Sequence, residues 1–232
     1  MRQIVLDTET TGLSANNGDR IIEVGCVELI NRRLTDAHLH FYINPERDID
    51  PGAQAVHGLT RAFLADKPKF SEIISPLREF IGQSELIIHN AAFDLGFLDA
   101  EFVRLGLPSF RSHVGAVTDT LLEARKRYPG KRNSLDALCE RLGVANAHRT
   151  LHGALLDAQL LAEVYLAMTR GQNDLAMSVA DDVTSIEQSR TKIDFQKLAL
   201  SVQKASKEEL MAHEKMLDKL DEKTRGQCLW RQ

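Results

Sequence analysis

The sequence predicts an α/β fold, a mixed five-stranded sheet flanked by helices and followed by a flexible C-terminal tail, and three observations carry that expectation. Residues 1 to about 170 alternate short β-branched, apolar runs with stretches of helical spacing, the pattern of strands and helices layered on one sheet. The first three strand-like runs are separated only by turn residues, with Gly12 and Asn16 to Gly18 in one gap and Asn31 to Arg33 in the next. Composition then changes after Met168, and Ser178 to Arg190 is rich in Asp, Thr, Ser, Glu and Gln but poor in large apolar residues.

Taken in order, the strands are expected at 2–9, 20–30, 36–44, 85–89 and 114–118. The short gaps make the first three an antiparallel meander, and helices before the last two make those run parallel to the first. After the strand Glu85 to His89, Asn90 is a natural N-cap for a helix starting near Ala91. Thr120 to Glu123 reads as a capping box, so Asp119 neighbours another helix start. Asp136 falls in an early helical turn with Gly143 as its stop. Leu156, Leu160, Leu161, Val164 and Met168 recur near helical spacing, so Gly153 to Arg170 is a helix that Gly171 ends. The chain therefore divides into a domain over 1–171, a linker over 172–190 and a segment over 191–232. That last segment is Lys- and Glu-rich, with Leu198, Leu200, Leu210 and Leu217 scattered through it. It reads as partly helical, with too little apolar surface to fold alone.

Bulk properties narrow the function classes. A net charge of −4 excludes a protein that coats nucleic acid by bulk electrostatics, so any such contact must be local. The densest basic run, Arg125 to Arg132, either meets phosphates or is simply solvated. Cys26, Cys139 and Cys228 are odd in number and far apart, which argues against a disulfide framework or a zinc site. Nothing resembles a signal peptide or an 18-residue apolar span, so no membrane role and a cytoplasmic location are expected.

Candidate chemistry lies in three separate stretches. Asp7 and Glu9 alternate along the first strand and should share one face, where two carboxylates repel unless a cation lies between them. A hard divalent ion such as Mg²⁺ or Mn²⁺ takes oxygen ligands of this kind. Asp94 follows a strand end at the start of a helix, the place where open α/β sheets gather ligands. Asp157 is a residue of the Gly153 to Arg170 helix, and His152 precedes it in a loop where a neutral imidazole can take a proton near neutral pH. Glu23 and Asp99 read as surface residues.

This order of D-x-E, a strand-to-helix Asp and H-x4-D resembles the DEDD exonucleases of the ribonuclease H-like superfamily, in the subgroup whose fifth residue is His. The segments VLDTETTGL, VHGLT, IHNAAFD, PGKRNSLDALC and RTLHGALLDAQLLAEVYLAM extend the resemblance along essentially the whole chain to the proofreading subunits of bacterial replicative DNA polymerases. It implies a ribonuclease H-like sheet and a 3′→5′ exonuclease acting on single-stranded or mismatched DNA 3′ ends. Two Mg²⁺ or Mn²⁺ ions would be held by Asp7, Glu9, Asp94 and Asp157, with Asp94 and His152 as catalytic residues and His152 as the proton acceptor. Asp7, Thr8, Glu9, Thr10, His57 and Asp157 would hold the terminal nucleotide. Gln172, Leu175 and Met177 have the Q-x-x-L-x-M form that bacterial sliding clamps accept, and Leu229 and Trp230 would anchor the polymerase's catalytic subunit. A small accessory subunit is a further expected partner. An RNA 3′-end trimming nuclease of the same superfamily and a catalytically silent structural subunit remain the alternatives.

Overall fold

The computed structural model describes residues 1–146, 151–170, 204–224 and 230, and the chain divides into two compact units, Met1–Ala176 and Met177–Gln232. The first unit is a five-stranded sheet of β1 (Arg2–Thr10), β2 (Ile21–Ile30), β3 (Arg33–Tyr42), β4 (Glu85–Ile88) and β5 (Val117–Asp119), in the spatial order β3-β2-β1-β4-β5. β1 pairs antiparallel with β2, and β2 with β3, while β4 runs parallel to both β1 and β5. This is the meander followed by parallel strands that the gap lengths predict.

Two strand starts differ from expectation by three residues, for local reasons. β3 starts at Arg33 rather than residue 36, because Asn31 and Arg32 both adopt positive φ (49° and 63°) and Ile30 pairs with Arg33. Positive φ at both central residues closes a two-residue hairpin, so Arg33, expected in the turn, is already paired in the strand. β5 begins at Val117 rather than 114, because Phe110–His113 is a 3₁₀ turn and only three residues pair with β4.

Helices α1 (Pro51–His57), α2 (Arg61–Leu64), α3 (Phe70–Ile81), α4 (Ala91–Arg104), α5 (Thr120–Arg127), α6 (Leu135–Leu142) and α7 (Ala154–Met168) complete the first unit. One sheet face buries Ile4, Leu6, Leu86 and Ile88 against α3 and α4, with Phe70, Leu77, Leu98 and Phe102 as the bulk of that core. The other face buries Val5, Val27, Leu29 and Ile87 against Ala158, Leu161 and Ala162 of α7. With both faces covered, β2 loses its outward polar positions, and Glu23 is 3% exposed with its Oε1 2.7 Å from His40 Nε2. The expectation that Glu23 is a surface residue is therefore wrong. Asp99 is half-buried and accepts hydrogen bonds from Ser109 Oγ at 2.7 Å and Arg111 N–H at 3.2 Å, tying α4 to the loop beyond it.

α7 ends at Met168, before Gly171: the Thr169 hydroxyl donates to the Tyr165 carbonyl at 2.6 Å, and its N–H to the same carbonyl at 3.0 Å, closing the helix. Gly143 ends α6 at a left-handed φ of 69°, as expected. In the second unit α8 (Lys207–Thr224) is helical and largely exposed, and Trp230 is 81% exposed. Gln172, Leu175, Met177, Leu198, Leu200, Cys228, Leu229 and the linker 172–190 lie outside the described residues. Cys26 and Cys139 are both buried. Among the described residues no helix is long and apolar enough to cross a membrane.

Candidate active site

β1 and β4 run parallel and end at one sheet edge, so the chain leaving them delivers side chains to a common place. Along β1, Val5 packs under α7 and Leu6 under α4, and the same alternation continues into Asp7 and Glu9 on the α7 side and Thr8 on the α4 side. The Thr8 hydroxyl donates to Asp94 Oδ1 at 2.7 Å, from the first turn of α4. Asp157 sits in the first turn of α7 and is as deeply buried as Asp94, each 3% exposed.

α7 reaches this edge because β2 carries glycine at position 25. A Cβ there would lie 2.3 Å from the Ala154 carbonyl carbon and the Leu155 nitrogen, so the helix N-terminus rests directly on the β2 backbone. His152 lies in the loop before α7, as expected, with its N–H donating to the Val56 carbonyl at 3.1 Å at the end of α1. Its Nδ1 is 3.3 Å from Asp157 Oδ2. A proton on Nδ1 facing that carboxylate makes Nε2 the nitrogen that accepts a proton.

Ligand atoms of Glu9, His152 and Asp157 lie within 4.8 Å of one another, and all three, with Asp7, Thr8 and Asp94, line one cavity of about 820 Å³. Three sequence-distant stretches are thus brought together. Buried carboxylates around one space repel unless a positive group lies among them, and an all-oxygen acidic set beside one imidazole suits a hard divalent cation. Thr10 and His57 are also buried, but neither lines this cavity. His57 Nδ1 accepts the Leu59 N–H at 3.0 Å, and the ring also meets the Thr10 backbone. Burial lowers the His57 pKa, holding the ring neutral.

Burial also pushes the Asp94 carboxyl up from its ordinary 3.8 to about 7, against the opposing hydrogen bond from Thr8. A carboxyl whose folded pKa is raised binds more protons folded than unfolded, so stability falls as pH rises from about 4 to about 7. Without metal, the wild type should lose stability relative to Asp94→Asn across that window, by on the order of a few kcal/mol. Melting curves of both proteins in EDTA from pH 4.5 to 8 check this. A difference that does not change with pH would place the Asp94 ionisation at its ordinary value.

Several contributors were not picked out from sequence. Asp119 caps two helices at once, accepting the N–H groups of Asn90 and Ala91 at 3.3 and 3.1 Å and of Leu121 and Leu122 at 2.9 and 3.2 Å. Asn90 does precede α4, but at a left-handed φ of 65° and with no cap from its own side chain, so Asp119 does the capping that Asn90 was expected to do. Likewise α5 is capped by Asp119, and the expected capping box at Thr120 does not form. His89 and Phe93 also line the cavity, and the only sequence signal for them is their place in the same stretch as Asp94. Arg125, Lys131 and Arg132 line it too, from the basic run that the sequence offered as either meeting phosphates or solvated.

The RNase_T family model, described as Exonuclease, matches residues 4–165. DNA polymerase III subunit epsilon of Escherichia coli (strain K12) is 50% identical over 238 residues, covering 99% of this chain and 97% of that protein. The fold is similar to Exonuclease X in complex with 5′ overhanging duplex DNA, with a TM-score of 0.57 and 28% identity over 72% of this chain and 90% of that one. It is also similar to the nuclease domain of 3′hExo, a DEDDh family member bound to rAMP, with a TM-score of 0.61 and 18% identity over 72% and 90% of the two chains. With the cavity and its carboxylates in place and half of its residues shared with an epsilon subunit from end to end, the chain belongs to the exonuclease family and, within it, to the epsilon subunits of DNA polymerase III.

Proposed function

We propose that this chain proofreads DNA synthesis as the epsilon subunit of a bacterial DNA polymerase III, hydrolysing the 3′-terminal phosphodiester and releasing nucleoside 5′-monophosphates in the cytoplasm. The observation that carries the reading is the convergence of Asp7, Glu9, Asp94, His152 and Asp157 on one cavity at the sheet edge. Asp7, Glu9, Asp94 and Asp157 would hold two Mg²⁺ or Mn²⁺ ions, which when bound would supply the positive charge that stabilises both attacking and leaving oxygens at phosphorus.

The protein's own groups do the rest. His152 takes the proton of the attacking water at Nε2, and Asp157 keeps the imidazole turned through the Nδ1 contact at 3.3 Å. Thr8 holds Asp94 in place from β1. Backbone around Thr8 and Thr10, with His57, retains the terminal nucleotide, and the contact of the buried His57 ring with the Thr10 backbone supports that role by holding the two together. Error selectivity needs no base readout, since a mispaired end frays more readily and only an unstacked single strand enters the cavity.

Partner contacts follow the same reading. Leu229 and Trp230 dock on the polymerase α subunit, supported by the exposure of Trp230, while Gln172, Leu175 and Met177 engage the sliding clamp. A small accessory subunit also binds.

The test is digestion of end-labelled single-stranded DNA, matched duplex and 3′-mismatched duplex, with Mg²⁺ or EDTA. Stepwise, metal-dependent 3′→5′ release is expected, faster on single-stranded and mismatched ends. His152→Ala should slow it on the order of 10²-fold or more with metal binding retained. Activity on RNA alone would favour the 3′-end trimming alternative, and inactivity on both a structural subunit.

A further inference from the structure

The cavity poses an electrostatic problem that metal ligation addresses only at its floor. A polyanionic strand must enter a space walled by four carboxylates, on a chain whose net charge is −4. Cations held in the wall would offset that repulsion along the approach. Arg125, from α5, and Lys131 and Arg132, from the loop that follows, line the wall, and all three are exposed. Among the described residues none of the three has a carboxylate partner. Lys126, beside Arg125 in sequence, is different: it pairs with Glu123 at 2.7 Å and does not line the cavity.

The loop bearing Lys131 and Arg132 is held by side chains rather than left to its own backbone. Buried Asn133 donates from Nδ2 to the carbonyls of Tyr128 at 3.3 Å and Lys131 at 3.1 Å. Its Oδ1 accepts from Arg141 Nη1 at 3.1 Å, and Arg141 Nη2 donates to the Arg132 carbonyl at 2.7 Å. The Arg141 guanidinium stacks over the Tyr128 ring, 4.8 Å from its centroid. Gly130 supplies a turn at φ 70° with open space around it. His89, at the end of β4, bonds Thr120 Oγ1 at 2.9 Å and reaches the Asn133 backbone, which ties the loop to the sheet edge that carries the carboxylates. The carbonyls of Tyr128, Lys131 and Arg132 are thus fixed by two side chains, Asn133 just before α6 and Arg141 within it. A loop fixed this way gives up little conformational entropy on binding.

We infer that the 128–133 loop, with Arg125, is a preorganised phosphate clamp that grips single-stranded DNA at phosphates 5′ of the scissile one. The proposal rests on the proofreading reading for the identity of its ligand, a single nucleic-acid strand. The clamp sets affinity for the strand, whereas the carboxylates and His152 set the chemistry. It meets the strand's backbone, so it does not read sequence.

Binding of a fluorescent single-stranded oligonucleotide, followed by anisotropy in EDTA over a salt series, tests the clamp without requiring turnover. The double variant Lys131→Ala/Arg132→Ala should weaken Kd on the order of tenfold or more, since each substitution removes a hydrogen bond between charged groups. The slope of log Kd against log salt should fall by about 1.4, at about 0.7 for each single-strand phosphate no longer neutralised. Lys126→Ala, which removes one charge from α5 but lies off the cavity wall, should keep the wild-type slope. In turnover, the double variant should lose more kcat/KM on the oligonucleotide than on the 4-nitrophenyl ester of thymidine 5′-monophosphate, which carries a single phosphate. Arg141→Gln, which loosens the loop while leaving its cations, should also weaken strand binding. A double-variant slope equal to that of the wild type, or equal losses on strand and ester, would overturn the clamp even with exonuclease activity intact. Wild-type inactivity on every nucleic acid would instead remove the proofreading reading, and the salt slopes would still decide the clamp.

Discussion

Asp157→Asn is expected to lower exonuclease turnover on the order of 10³-fold while leaving the fold intact and the metal-free melting temperature unchanged or raised. Asp157 is almost fully buried in the first turn of α7, with Glu9 beside it and the His152 imidazole 3.3 Å away. Asparagine keeps the size and removes the charge, so the apo protein loses a repulsion and little packing. What it cannot keep is the anionic oxygen that binds a cation or the partner that orients His152. Activity and melting temperature of the purified variant, the latter in EDTA, separate the two effects. A melting temperature lowered by many degrees, with activity lost in proportion, would make Asp157 a structural residue.

Gly25→Ala should cost both stability and activity through geometry alone. The added methyl group would meet the Ala154 carbonyl carbon and the Leu155 nitrogen at 2.3 Å, and these are backbone atoms that no rotamer change can clear. The helix must move outward from β2. Overpacking of this kind costs about 1–3 kcal/mol. The larger consequence is catalytic, because Asp157 is carried on that same helix start and His152 on the loop leading into it, while Asp7 and Glu9 stay on β1. A displacement of about 1 Å between catalytic groups lowers rates by on the order of 10²-fold. Thermal melting and kcat on single-stranded DNA are the measurements. A variant with wild-type kcat would show that the α7 start can shift without disturbing the site.

These two residues illustrate what is readable from sequence and what is not. Asp157 stood out because its signal is local: helical spacing of Leu156, Leu160, Leu161 and Val164 sets it on a helix, and H-x4-D pairs it with a loop histidine. Asp7 and Glu9 were legible for the same reason, from the period of a strand. Gly25 carries no local mark, being one glycine in an apolar strand whose need for a bare backbone comes from a helix about 130 residues away.

By itself, then, the sequence determined the strand and helix order and the antiparallel meander with two parallel strands, from patterns within a few residues of one another, and it pointed to the five groups of the candidate site through their order along the chain and the resemblance that order carries. The tertiary structure decided the burial of Glu23, because covering β2 on both faces depends on helices far along the chain. It also decided the double cap made by Asp119 and the placing of exposed Arg125, Lys131 and Arg132 on the wall of the cavity that holds the carboxylates. A side chain's periodicity is fixed by its own backbone, but its burial, its partners and the charges it faces are fixed only when distant segments pack.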